Sequence, residues 1–91
     1  MKFGLLFEMQ RPFEGNDVDW NALYRETLDQ CELADQVGFD NLWFVEHHFL
    51  MGFSGSPCPE VMFGALSQRT KNIRIGFGVS VLPNHHPIRV A

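Results

Sequence analysis

Three apolar runs, Phe3 to Phe7, Asn41 to Val45 and Asn72 to Leu82, are separated by segments whose apolar residues recur at helical spacing. Strands alternating with helices restrict a chain to an α/β fold with a parallel sheet and right-handed crossovers. The first run is continuous, as in a parallel strand covered on both faces. A polar loop, Gln10 to Asn16, follows it, and Asn16 or Asp17 is placed to cap the next helix. From Trp20 the spacing Trp20, Leu23/Tyr24, Leu28, Cys31, Ala34, Val37 predicts a helix, and Gly38 can supply the left-handed residue that ends it.

The second strand leads into a longer loop, His47 to Pro57, containing Gly52 and Gly55. Pro57 or Pro59 suits the start of a second helix, with Glu60 in its first turn and a weaker apolar stripe at Met62, Ala65, Leu66 and Arg69. Ile73, Ile75, Phe77, Val79 and Val81 then alternate with smaller or polar residues at period two. Pro83-Asn84 breaks that strand, and Pro87 is placed to open a third helix. The order is β-α-β-α-β with a helix beginning. Three strands with helices on one side leave the other sheet face uncovered, and a doubly wound fold would need more helices than these. Closing such a sheet into an eight-stranded barrel takes roughly 250 residues. The expected architecture is therefore the amino-terminal part of a (β/α)8 TIM barrel with parallel strands.

A chain of 91 residues, 45% hydrophobic with nine Phe, can bury a modest core. The formal net charge is −4 and Lys and Arg form no run, so nucleic acid and anionic membrane are poor partners. No apolar stretch approaches a membrane span, and the first residues lack a secretory signal, which leads to a cytoplasmic expectation. Cys31 and Cys58 form no CxxC pair and read as free thiols.

Glu8, Glu46, His47, His48, His85 and His86 all fall at or just past predicted strand ends. In α/β folds that edge of the sheet is where ligands bind and chemistry occurs. Imidazole titrates near neutrality and suits proton transfer. Residues leaving a strand in succession point to opposite sides, so His47 and His48 should face different surroundings. Any one of these histidines could simply cap a helix or bond a backbone carbonyl; together they indicate a site. Metal ligation is disfavoured, because both His pairs are adjacent in sequence without the usual spacer. Gly76, Gly78 and Ser80 share one face of the third strand. They leave room either for bulky neighbours or for close approach of a flat ligand. Neither GxGxxG nor GxxxxGK[ST] occurs.

Met1-Lys2-Phe3-Gly4, Gly38-Phe39-Asp40-Asn41-Leu42-Trp43 running into Glu46-His47-His48-Phe49, and Val81-Leu82-Pro83-Asn84-His85-His86-Pro87-Ile88-Arg89 resemble the bacterial luciferase-like flavin-dependent monooxygenases. The resemblance implies a (β/α)8 barrel, with residues 1–91 as a single partial domain comprising its first three strands. It implies reduced FMN as cofactor, with F420 as the alternative in a related branch, an organic substrate and O2. A flavin reductase partner and a homo- or heterodimeric assembly are implied as well. By the same resemblance His47 is the active-site histidine, and Gly78 and Val79 lie against the flavin ring. Glu46, His48, Leu82 and His86 occupy neighbouring pocket or loop positions. A non-proline cis peptide is implied between Gly78 and Val79. Reduced-flavin chemistry with O2 calls for a dry, aromatic-rich pocket with one placed imidazole. A non-catalytic piece acting only by subunit association, and an F420-dependent hydride transfer, are the alternatives in function.

Overall fold

A computed structural model of the protein describes residues 1–10, 18–50 and 53–91. The elements run β1 (Gly4–Phe7), α1 (Trp20–Val37), β2 (Asn41–Phe44), α2 (Pro59–Leu66), β3 (Arg74–Phe77), a 3-10 turn (Leu82–Asn84) and α3 (Pro87–Val90). The strands form one parallel sheet in the order β1-β2-β3, as the alternation of strand and helix requires.

Register places Phe7, Phe44 and Phe77 in one row at the carboxyl end of the sheet, with Leu5, Leu42 and Ile75 in a second row on the same face. This face packs under the helices. Phe7 stacks on Phe44 at 5.0 Å, and Phe63 of α2 makes edge contacts with Phe44 at 5.7 Å and Phe77 at 4.8 Å. Leu42, Phe44, Leu66 and Cys31 are completely buried there. Burial pushes the Cys31 thiol up to about 12, so it acts as a small core hydrophobe.

The opposite face is different. Leu6, Trp43 and Gly76 lie in register on it, and Leu6 and Trp43 are largely exposed. The expectation that β1 is covered on both faces therefore fails, while the expectation of one uncovered face is met.

Helix α1 starts at Trp20. Its cap is Asp19, whose Oδ1 accepts from the Ala22 N–H at 2.9 Å; the polar loop and the expected caps Asn16 and Asp17 fall outside the described residues, as does Gly52. Gly38 takes the left-handed conformation (φ 91°) and ends the helix as expected. The buried stripe is Leu23, Thr27, Cys31 and Ala34. Thr27 belongs to it because its hydroxyl donates to the Leu23 carbonyl, which satisfies the polar group locally. Val37, at the last turn, is exposed instead. On α2 the buried residues are Pro59, Met62 and Leu66, and Ala65 faces outward.

Polar ties join the layers. Arg69 follows α2 and reaches Asp29 and Glu32 of α1, each at 2.7 Å. The Asp35 carboxylate accepts from the backbone N–H groups of Lys71, Ile73 and Asn72 at 2.6, 2.8 and 3.0 Å, which sets the approach to β3. Those bonds, that of Lys71 foremost, hold its carboxyl below the usual range.

Strand β3 is shorter than the period-two pattern predicts. It pairs with β2 only, and β2 ends at Phe44; the Gly78 N–H donates to the Phe44 carbonyl at 2.7 Å, and beyond that point the sheet offers no ladder partner. The chain bends there and enters the 3-10 turn. None of the described helices is long and apolar enough to cross a membrane.

The exposed face has a measurable consequence. Leu6, Trp43 and Val79 present apolar surface of the kind that drives association. The 91-residue polypeptide should self-associate at micromolar concentration in sedimentation velocity. A monodisperse monomer with a single cooperative urea transition would contradict this.

Candidate functional site

Each strand of the phenylalanine row delivers its next residues to the same rim: Glu8 after β1, Glu46-His47-His48 after β2, and Gly78-Val79 after β3. Burial of the phenylalanines thus fixes where the polar groups emerge.

Glu46 is the buried centre of this rim, with a side chain only 1% exposed. Its Oε1 accepts from His48 Nε2 at 2.7 Å and from His85 Nε2 at 2.9 Å. Its Oε2 accepts from the Val81 N–H at 2.7 Å, from His85 Nε2 at 2.9 Å and weakly from Ser80 Oγ at 3.5 Å. Burial alone would raise the carboxyl pKa, but the bonds from His48, His85 and Val81 outweigh it and hold the group down at about 2. The ionised carboxylate only accepts, so both imidazoles present Nε2–H to it.

His47 points elsewhere, as strand alternation predicts. Its Nε2 lies 3.3 Å from Glu8 Oε2, and its ring meets Phe53 edge-on at 5.9 Å. It lines a cleft of about 280 Å³ together with Trp20, Tyr24, Phe49, Leu50 and Gly55. The segment Ser54–Ser56 stitches this cleft to the strand ends. Ser54 Oγ donates to the Glu8 carbonyl at 2.6 Å, Gly55 N–H to the Met9 carbonyl at 3.0 Å, and Ser56 Oγ to the Val45 carbonyl at 2.6 Å. The His47 N–H donates to the Ser56 carbonyl at 2.9 Å, and the Tyr24 hydroxyl to the Gly55 carbonyl. Gly55 is required here, because a Cβ on it would come within 2.2 Å of the Trp20 ring.

Among the described residues, two that are not glycine adopt the left-handed conformation, Met9 (φ 54°) and Phe49 (φ 58°). They directly follow Glu8 and His48. Such conformations cost roughly 1–2 kcal/mol and collect where surrounding structure enforces them, often at functional sites. Met9 is held by the Gly55 bond and by Thr27 Oγ1 on its sulfur at 3.3 Å.

The remaining predicted residues separate. His85 joins Glu46, whereas His86 caps α3 by accepting from the Ile88 N–H at 3.3 Å. Leu82 is exposed at the start of the 3-10 turn, and Val79 is exposed just past β3. Gly78 and Gly76 keep space that the protein's own side chains fill. A Cβ on Gly76 would meet the Trp43 ring at 2.9 Å, and one on Gly78 would meet Trp43 and Leu6 at 3.0 and 3.2 Å. These glycines thus make room for bulky neighbours, one of the two uses expected for them.

The expected cis bond between Gly78 and Val79 is absent; that peptide is trans. A non-proline cis bond costs roughly 2.5–4 kcal/mol and needs packing to enforce it. Here Val79 is exposed and supplies no such packing. Among the described residues no group of three or more His, Cys, Asp or Glu side chains is arranged to hold a metal ion.

The sequence and the fold both have relatives. A family model described as luciferase-like monooxygenase matches residues 1–91. The oxygenase component of flavin-dependent trigonelline monooxygenase from Acinetobacter baylyi is 35% identical over 91 residues, 100% of this chain and 24% of that protein. Limonene 1,2-monooxygenase from Rhodococcus erythropolis is 39% identical over 80 residues, covering 88% of this chain and 20% of that protein. Among solved structures, the oxygenating constituent of 3,6-diketocamphane monooxygenase from Pseudomonas putida, a type II Baeyer-Villiger enzyme in complex with FMN, superposes with a TM-score of 0.83 at 27% identity. That match covers 99% of this chain and 24% of that one. The chain thus spans about a quarter of the length of the relatives it matches, and its three strands and helices are the corresponding part of their barrel.

The Glu46 cluster yields a stability prediction. Glutamine at this position has one acceptor oxygen and would turn a donor toward either Val81 N–H or an imidazole N–H, so Glu46→Gln in the whole protein should cost about 2–4 kcal/mol. The pH dependence has a definite sign. A carboxyl held at about 2, below its ordinary 4.5, contributes stability above pH 4.5 that is lost as pH falls towards 2. The urea midpoint of the wild type should therefore fall more steeply over that window than that of Glu46→Gln. Parallel curves would contradict the network.

Proposed function

Because the chain belongs to the luciferase-like monooxygenase family, we propose that it forms the first three strands, residues 1–91, of a flavin-dependent monooxygenase barrel that oxidises a small organic substrate with O2. The observation that carries this reading is His47. It emerges at the carboxyl end of β2 into a cleft lined by Trp20, Tyr24, Phe49 and Leu50, while the neighbouring carboxylate and imidazoles are occupied with one another.

Reduced FMN is the cofactor we assign, supported by the FMN-bound relative and the flavin-dependent one. When bound, it supplies the electrons that activate O2. The residues present suit a flat apolar ring. Val79 and Leu82 offer exposed aliphatic side chains at the rim. Glu46 acts on the same region by holding Val81 and His85, and through them the exit from β3. His47 is the acid/base group: an imidazole about one-third exposed beside a largely apolar cleft can take or give a proton. A separate reductase as partner is supported by the description of one relative as an oxygenase component.

In the whole protein, His47→Ala should lower turnover at saturating flavin and substrate by about 10²–10⁴-fold. Flavin affinity, spread over many contacts, should change little. Undiminished turnover would remove His47 from the mechanism. Titration of reduced FMN and of F420 into the same protein should show saturable binding of FMN in preference; the reverse order would make the protein an F420-dependent oxidoreductase.

A further inference from the structure

Glu8 has no role in what is proposed so far, yet it is the side chain that touches His47. Its Oε2 lies 3.3 Å from His47 Nε2, across 39 positions of sequence. The other rim carboxylate, Glu46, is taken up by His48, His85 and Val81. Phe53 meets the His47 ring only through an edge contact. Glu8 is therefore the only polar side chain among the described residues that orients this imidazole.

The pair is built into the backbone. Ser54 Oγ holds the Glu8 carbonyl, Gly55 N–H holds the Met9 carbonyl, and the Ser56 carbonyl holds the His47 N–H. One short segment thus ties both partners, and the left-handed turn at Met9 ends the extended run as soon as Glu8 has been placed. Only side-chain torsions remain to be set. Both groups are about one-third exposed, so the contact adds little to stability. Its value lies in orientation.

Resting on the reading of His47 as acid/base, we propose that Glu8 is the positioning residue of His47. An ionised carboxylate accepts and cannot donate, so it selects the neutral tautomer with hydrogen on Nε2. The free lone pair is then on Nδ1, which has no hydrogen-bond partner among the described residues and becomes the proton acceptor. A carboxylate holding the far nitrogen of a catalytic imidazole is a recurrent way to fix both tautomer and ring plane. Glutamine would abolish that selection, because its amide can either accept from Nε2–H or donate to a bare Nε2.

The test uses the whole protein labelled with ¹⁵N-histidine, with the His47 resonances assigned from their loss in His47→Ala. Wild type should show neutral His47 in the Nε2–H tautomer. Glu8→Gln should show a mixture with Nδ1–H, lower turnover by about 10–100-fold as partners of this kind do, and leave the thermal midpoint and flavin affinity near wild type. Glu8→Gln with an unchanged tautomer and unchanged turnover, beside a crippled His47→Ala, overturns the role of Glu8 and leaves that of His47 standing. A fully active His47→Ala overturns both. If Glu8→Gln does not fold, Glu8→Ala takes its place, and an unchanged tautomer in that variant is equally decisive against the proposal.

Discussion

A carboxylate buried to 1% exposure has to recover in hydrogen bonds what it loses in hydration, and at Glu46 that requirement organises the rim of the sheet. The bonds come from three places: His48 in its own loop, the Val81 N–H beyond β3, and His85 after the 3-10 turn. Each donor has to arrive for the charge to be tolerated. The bend after β3, the 3-10 turn and the placement of His85 can thus be understood as one solution to a single electrostatic demand. The same demand divides the labour of the two adjacent histidines. His48 is committed to Glu46, and His47, projecting the other way, remains available.

Beneath the rim, the hydrophobic layer sets the positions to which the polar groups answer. Phe7, Phe44 and Phe77 lie in register, with Phe63 closing over two of them from α2. Because all three strands end at this row, Glu8, Val45 and Gly78 leave it at the same height, with Glu46 one residue further on. The rim inherits its geometry from apolar packing, and the loop bonds from Ser54 to Ser56 then tighten it. This order of dependence explains why a short chain can present convergent polar groups at all: the aromatic core is rigid enough to aim them.

Much of this could be read from the residues before any coordinates. The strand and helix pattern follows from local periodicity, Gly38 from its need for positive φ, Pro87 from its preference for a first helical turn, and the divergence of His47 from His48 from strand alternation. Contacts between distant segments could not be read in that way. Nothing in the sequence says that Glu46 will meet His85 rather than His86, since this depends on how far the chain turns after Leu82. The left-handed Met9 and Phe49 carry no glycine to announce them. Thr27 sits in the core stripe because its hydroxyl is satisfied within its own helix, which a polar/apolar pattern hides. The period-two pattern runs past the end of β3 for a related reason: alternation marks which residues can be strand, whereas pairing decides which ones are.

Trp43 carries an implication for how this sequence can change. Its indole borders two glycines of the neighbouring strands, where a Cβ would fall 3.2 Å from it at Gly4 and 2.9 Å at Gly76, and the Trp43 Cβ lies 3.0 Å from where one on Gly78 would stand. Gly76 cannot enlarge unless the Trp43 ring shifts, whereas Gly4 is confined as well by the Asn41 carbonyl at 3.1 Å and Gly78 by Leu6 at 3.2 Å. Across a lineage positions 43 and 76 should drift as a pair, with a smaller residue at 43 permitting a side chain at 76. A substitution at 76 taken singly would meet a steric barrier, so the order in which mutations accumulate there is constrained by the size of one ring.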